Sequence, residues 1–413
     1  MSPTSRTALA LGVIAVAALV VPWWACVLLA VALAGAPLAD ALVARRPVDV
    51  ARSLPPVLAR GVPSPLRLTA GPTPGPVRVR QAAPPDLALA QSEGDRELTT
   101  TVTARRRGRH VLPAPAARVV GPLGLAAWYR RPGSEDEVLV YPDLPAARRL
   151  ATAVRRGRFR LEGQARGPLG LGTDFESIRD YEPDDDVRQV NWLTTQRLGR
   201  PMSNQYRLET DRDVICLVDC GRLMAAPLRD RTRLDAAIDA AVAVASVADA
   251  VSDRCGTIAF DSELKRRVAP RRAGGRAVAQ ALFDLEPVSV DSDYGGAFAA
   301  VGEAKRAWVV LFTDLLEEAA ARPLLEALPS LARRHSVAVA SAIDLDIEAL
   351  LERPPRDRTD VYRTAVALDV SRARAGVAAA LRRRGVDVVE APAPQLGAAC
   401  VRAYLRSKAR ARL

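Results

Sequence analysis

The N-terminal pattern is a long uncharged stretch. Thr7 to Ala39 carry no charge, with Arg6 and Asp40 at its borders. The run exceeds the ~20 residues that cross a bilayer once. As one helix at ~1.5 Å per residue it would reach about 50 Å, against a hydrocarbon core of ~30 Å. Pro22-Trp23-Trp24 lies in its middle; proline interrupts a helix and tryptophan favours the membrane interface. The pattern therefore predicts a transmembrane helical hairpin within 1–44, with spans at 7–21 and 24–43. Arg6 before it and Arg45, Arg46 and Arg52 after it put both ends and the bulk of the chain on the cytoplasmic side of the plasma membrane. A single span with its N-terminus outside also leaves the remainder inside. Cleavage at Ala34-Gly35-Ala36 is the third option, opposed by Pro37 and by an apolar region far longer than the ~7–15 residues of a signal peptide.

Residues 45–142 alternate differently. Short extended runs at Leu66–Thr69, Val77–Arg80, Leu98–Ala104 and Val138–Tyr141 are separated by Gly, Pro and Asp, which predicts a β-rich, sandwich-like domain. Val77 and Val79 against Arg78 and Arg80 imply one buried and one wet face. Segment 143–212 begins with a helix over 143–156. From 213 to 413 strands and helices alternate: strands at Val214–Val218, Gly256–Phe260, Trp308–Phe312, Val337–Ala342 and Val386–Val389, helices at Leu234–Ser252, 345–352, 372–384 and 395–410. That order predicts a doubly wound α/β domain of Rossmann type. Its sites are expected at the C-terminal strand ends, where Asp219 and Asp314 fall.

The 413 residues carry a net charge of +12, which invites a nucleic-acid reading. Of 59 basic residues only Lys265, Lys305 and Lys408 are lysines, and the arginines are spread along an Ala-, Val- and Pro-rich chain. This bias fits a GC-rich genome better than phosphate recognition, and no arginine cluster carries interleaved stacking aromatics. No nucleic-acid partner is expected. Arg105-Arg106-Arg107-Gly108-Arg109 reads as a charged strand or turn, with contact to an anionic membrane surface as the alternative. The last basic run, Arg402, Arg406, Lys408, Arg410 and Arg412, reads as a solvated helix face or a surface anchor. Five scattered cysteines make no disulfide framework and suit a reducing compartment. His110 and His335 have no cysteine or serine partner nearby in sequence, which removes most triad and metal-triad chemistry.

The most distinctive segment runs from Gly167-Pro168-Leu169-Gly170-Leu171-Gly172-Thr173 through Asp174-Phe175, Arg179-Asp180-Tyr181-Glu182-Pro183-Asp184-Asp185-Asp186 and Arg188 to Asn191-Trp192. It matches neither a dinucleotide fingerprint nor a P-loop nor an EF-hand. Local physics predicts that Asp184 to Asp186 cap a helix starting near Val187, that Arg179 and Arg188 balance their charge, and that Trp192 anchors this helix among apolar groups. A catalytic use of Asp185, Asp186 and Arg188 is the competing reading.

Asp174-Phe175, Arg179-Asp180-Tyr181-Glu182-Pro183 and Asp185-Asp186-Val187-Arg188-Gln189-Val190-Asn191-Trp192 closely resemble the signature of the bacterial family known as "domain of unknown function fifty-eight". Asp184 stands where that family usually has glycine and Asp174 where it usually has glutamate. The resemblance implies a membrane-anchored partner of a MoxR-type AAA+ ATPase, associated also with transglutaminase-like membrane proteins, that assists assembly or maturation of other proteins. The leading reading is a non-enzymatic interaction protein in which the α/β domain and the acidic-aromatic segment, with Phe175, Arg179, Tyr181, Pro183, Asp185, Asp186, Arg188 and Trp192, present a docking surface to a soluble ATPase or client. A hydrolase or transferase built on the acidic/Arg segment is the alternative. The α/β part resembles a von Willebrand factor A-type domain, which often holds Mg²⁺ through an Asp-x-Ser-x-Ser turn, a threonine and a second aspartate. Asp219 and Asp314 match the aspartates, but Gly221 and Leu223 stand at the serine positions. A degenerate site with little or no Mg²⁺ is expected, unless Asp291, Asp293 or water substitutes.

Overall fold

The computed structural model describes residues 2–17, 22–157, 174–182, 185, 187, 190–207, 212–302, 306–315 and 318–409. They form two compact units, Met1–Tyr141 and Pro142–Leu413.

In the first unit the alternation seen in the sequence becomes three sheets of five, four and three strands. Leu66, Leu68 and Ala70 from the Ser64–Ala70 strand meet Val77, Val79, Leu98, Val102, Val138 and Val140 in one apolar core. The intervening arginines pair across the strands: Arg78 with Asp95 at 3.0 Å, Arg80 with Glu93 at 3.5 Å and Arg67 with Glu97 at 3.5 Å. The Arg105–Arg109 run is no open basic patch. Arg107 is buried, Arg106 faces Asp86 at 3.7 Å and Arg109 faces Glu137 at 3.1 Å.

The described residues do not support the expected transmembrane hairpin. Among the described residues, no helix is long and apolar enough to cross a membrane. The first helix, Ser5–Ala17, has 13 residues, short of the ~20 needed. The second, Trp23–Ala44, contains Pro37 and ends inside the β-rich unit. Its Asp40, buried to 2 % exposure, accepts the amides of Leu123 (2.8 Å), Leu125 (2.8 Å) and Ala126 (3.0 Å). Ala41 and Ala44 are buried beside it. Thr4 and Thr7 donate to the carbonyls of Gly124 and Leu125, so the start of the first helix is bonded to the same turn. A carboxylate answered by three amides is a protein-core device, and it explains why the uncharged run stops at position 40. Both helices leave large apolar side chains exposed, Leu9, Val13, Trp23, Leu28 and Val31 among them.

The second unit is organised by a six-stranded sheet. Its order is Leu264–Arg271, Arg254–Phe260, Asp213–Asp219, Trp308–Phe312, Ser336–Ile343 and Asp387–Pro392. All neighbours are parallel except the first pair. Successive side chains of a strand point to opposite faces. Ile215, Leu217, Val309, Leu311 and Val339 face the helices Tyr294–Val301, Glu318–Ala332 and Arg358–Arg383. On the opposite face Cys216 Sγ contacts the carbonyl of Ala241 in the helix Arg233–Ala250. That helix is rich in alanine because it is buried nearly all round, between the sheet and the helices Leu144–Arg155 and Ala393–Ala409. Thr232 and Asp235 form a reciprocal capping box at its start.

The antiparallel strand Leu264–Arg271 closes one edge with Lys265, Arg266, Arg267, Pro270 and two register irregularities, features that blunt pairing with a further strand. The last helix is not a uniformly solvated basic face. Lys408 is buried and meets Asp253 at 2.6 Å, and Tyr404 donates to the same carboxylate. Arg410 and Arg412 lie outside the described residues.

Candidate functional site

Two regions bring the singled-out residues together. In the first, Asp174–Asp180 pairs antiparallel with Met202–Arg207, making a hairpin whose connection carries the rest of the signature segment. In that connection Val187 lies in a 3-10 turn, its carbonyl accepting the Val190 amide, and an α-helix Trp192–Leu198 follows, capped by Asn191; Asp184 and Asp186, expected as caps, lie outside the described residues. Asn191 accepts the Thr194 amide at 2.9 Å and donates to Asn204 at 2.8 Å, which fixes the helix on the hairpin. Gly199 ends it at φ +65°, a left-handed conformation that favours glycine.

Asp185 instead ties the turn that precedes this helix. Its Oδ1 accepts Arg179 at 2.6 Å and its Oδ2 accepts the Glu182 amide at 3.0 Å. Tyr181 donates its hydroxyl to the Asp185 carbonyl at 3.2 Å. Burial pushes the Asp185 carboxyl up, but the Glu182 amide, the Arg179 guanidinium and the Ser203 hydroxyl together hold it below the usual carboxylate range. Arg179 is thus the partner its spacing suggested. Trp192 is the clear departure: it is 68 % exposed, not an anchor in apolar surroundings. Val187, Leu193 and Leu198 are exposed with it. The backbone of Phe175 lies in the hairpin, while its side chain, the 167–173 glycine stretch, Pro183, Asp184, Asp186 and Arg188 lie outside the described residues.

The second region is the C-terminal end of the parallel sheet. Asp219 closes its strand, buried to 1 % exposure. Oδ1 accepts the Gly221 amide at 2.8 Å and the Ser292 hydroxyl at 2.5 Å; Oδ2 accepts Thr313 at 2.6 Å and Tyr294 at 3.0 Å. Four donors fill the lone-pair directions of one carboxylate. Burial, then the Asp219 charge, push the Tyr294 hydroxyl well up, so it stays a donor. Gly221 has a steric reason. A Cβ there would lie 2.2 Å from Ser292 Oγ, so the hydroxyl expected at position 221 reaches Asp219 from the other loop instead.

Asp314 follows the neighbouring strand and meets two arginines. Its Oδ1 lies 3.1 Å from Arg233 and 3.4 Å from Arg374, and it accepts the Leu315 amide at 2.9 Å and Ser341 at 3.3 Å. The arginines also donate to the Ala342 carbonyl, at 2.7 Å and 3.0 Å. All three side chains are buried. Burial lowers the Arg233 pKa and the Arg374 charge lowers it further, against the pull of Asp314. Sequence reasoning missed both arginines, since neither adjoins an acidic motif. The residues weighed as substitute ligands are engaged elsewhere. Asp291 is exposed and pairs with Arg222 at 2.5 Å, and Asp293 caps the helix Tyr294–Val301. Among the described residues no group of three or more His, Cys, Asp or Glu is arranged to hold a metal ion. Cys216, Cys220, Cys255 and Cys400 are buried free thiols, and burial pushes that of Cys400 up, away from nucleophilic use.

Residues 177–352 match the family described as "Protein of unknown function DUF58", a stretch that begins in the signature hairpin and includes both aspartates of the sheet end. Two relatives, uncharacterized proteins of Mycobacterium tuberculosis strain H37Rv and of Mycobacterium bovis, are each 27 % identical over 218 residues. The aligned part is 49 % of this chain and 66 % of theirs, so the chain spans just under two thirds of the length of these relatives. Among solved structures, a cohesin module from a Clostridium perfringens family 33 glycoside hydrolase aligns at 9 % identity over 23 % of this chain and 97 % of its own. Its TM-score of 0.16 is too low to carry a conclusion.

Proposed function

We propose that this chain is an interaction protein and that the signature hairpin is its docking surface, with a MoxR-type AAA+ ATPase as the partner the family resemblance implies. The observation that carries the reading is the exposure of Trp192 (68 %), Leu193 (65 %), Val187 (63 %) and Leu198 (54 %) on a connection bonded to its hairpin by Asn191 and Asp185. Exposed tryptophan on a pre-organised support is the side chain that most often carries binding energy at protein interfaces. Asp185 gives the hydrolase or transferase alternative little support. Its carboxylate already holds Arg179 and an amide, and its proton affinity is lowered, whereas a general acid needs it raised.

The test is co-purification of the full chain with the ATPase, comparing wild type with Trp192→Ala and Leu193→Ser. Both variants should melt like the parent, because an exposed side chain changes stability by only about ±0.5 kcal/mol, and both should lose the partner. Retention of the ATPase by folded Trp192→Ala would remove this surface from consideration.

A further inference from the structure

The residues at the sheet end disagree with the metal site that the von Willebrand factor A resemblance implies, and the disagreement is specific. A divalent cation of the magnesium kind takes near-octahedral oxygen ligands and is rejected by neighbouring positive charge. Asp219 has its four acceptor directions taken by Gly221, Ser292, Thr313 and Tyr294. Asp314 has two guanidiniums within 3.4 Å of one oxygen. Among the described residues, the buried side-chain atoms left without a partner around it are Asp314 Oδ2 and Arg233 Nε, one acceptor and one donor. The donor ligates no cation, and the acceptor belongs to the carboxylate whose charge two guanidiniums already offset.

We infer that Arg233 and Arg374 take the cation's place in this chain: they neutralise Asp314 and bind the sheet end together without metal. Their positions suit the task. Arg233 opens the buried helix behind the sheet, Arg374 lies on the long helix Arg358–Arg383, Asp314 follows one strand, and Ser341 lies near the end of the adjacent one. Both arginines donate to the Ala342 carbonyl. One carboxylate and one carbonyl thereby hold two helices and two strands. Two guanidiniums thus flank the carboxylate at the place where the implied cation would sit. Anything that binds at this end of the sheet then does so without a metal bridge. The inference does not rest on the docking role of the hairpin.

Two measurements on the full chain test it. The first titrates Mg²⁺ and Mn²⁺ to about 10 mM into EDTA-treated protein while following heat and melting temperature. No binding and an unchanged melting temperature are expected, whereas a micromolar site would raise the melting temperature clearly at such an excess. Binding that is lost in Asp219→Asn or Asp314→Asn would overturn the inference. The second measures Arg233→Met with and without Asp314→Asn. Arg233→Met should lower the melting temperature, and Asp314→Asn should return part of the loss, because the neutral amide no longer needs the guanidinium. A parental melting temperature for Arg233→Met, or no recovery in the double variant, shows that the arginines do not do the neutralising.

Discussion

The sheet end and the signature hairpin are built from the same residue types and treat them in opposite ways. At the sheet end Asp219, Asp314, Arg233 and Arg374 are all at or below 8 % exposure, and each charge meets protein donors or acceptors. In the hairpin Arg179 is 37 % exposed beside Asp185, and the large apolar side chains of the connection face outward. Burial makes the first cluster costly to disturb, since removing one partner strands a charge in a poor solvent. The second is screened by water and adds little to stability, which leaves its surface free to vary with a partner. An Asp–Arg pair therefore reports structure in one place and a surface in the other, and only its surroundings tell which.

The sharpest way to break this comparison is Asp314→Ala. It leaves Arg233 and Arg374 buried without their carboxylate and should cost about 3–5 kcal/mol in urea unfolding. A loss below about 1 kcal/mol would mean that the guanidiniums reach water and that the two regions do not differ.

A smaller effect, visible as pH dependence, is expected from His335. It is buried at the start of the Ser336–Ile343 strand, and its Nδ1 accepts the Ala307 amide at 3.2 Å, which requires the neutral tautomer. Burial, then the Arg334 charge, lower its pKa. The unfolded chain consequently binds the proton first. Stability should be full above the ordinary histidine value of ~6.5, fall as pH drops below it, and level off under the lowered folded value. His335→Gln should flatten this part of the stability–pH curve. An unchanged slope would assign the dependence to other groups.

The least effect belongs to the hairpin. Arg179→Ala should cost below about 1 kcal/mol, as for other partly exposed pairs. Because the Asp185 carboxyl is held below its usual range, the pair contributes above the ordinary carboxylate value of ~4 and is lost as pH falls through the lowered one. A loss as large as that of Asp314→Ala would place the hairpin among the buried elements and erase the contrast.

The strands of the sheet could be read from the chain because they are short, continuous apolar runs. Trp308–Phe312 has the bounds its pattern predicts, and Asp219 and Asp314 stand at strand ends as the alternation of elements implied. Elements that contradict their own local signals escaped. The helix Glu318–Ala332 contains Pro323 and Pro329, Tyr294–Val301 contains Gly295-Gly296, and half of the edge strand Leu264–Arg271 is basic. Each is stabilised by the sheet or core it joins, which overrides propensity. The uncharged N-terminal run misled for a related reason. Its length suggested lipid, but Asp40 at its border is answered by three amides of a turn 83 to 86 residues further on.

Sequence by itself thus determined the periodicities: where strands run buried, where a helix begins on Asp143, and which aspartates end strands, whereas the helix expected over 372–384 starts fourteen residues earlier, at Arg358. Those are local properties, set by neighbours a few residues away. The tertiary structure alone decided the partners. It brought Ser292 rather than residue 221 to Asp219, set Arg233 and Arg374 on Asp314, and turned Trp192 outward. Such choices depend on groups distant in the chain and on the water they exclude, and a linear pattern of residue types holds no record of either.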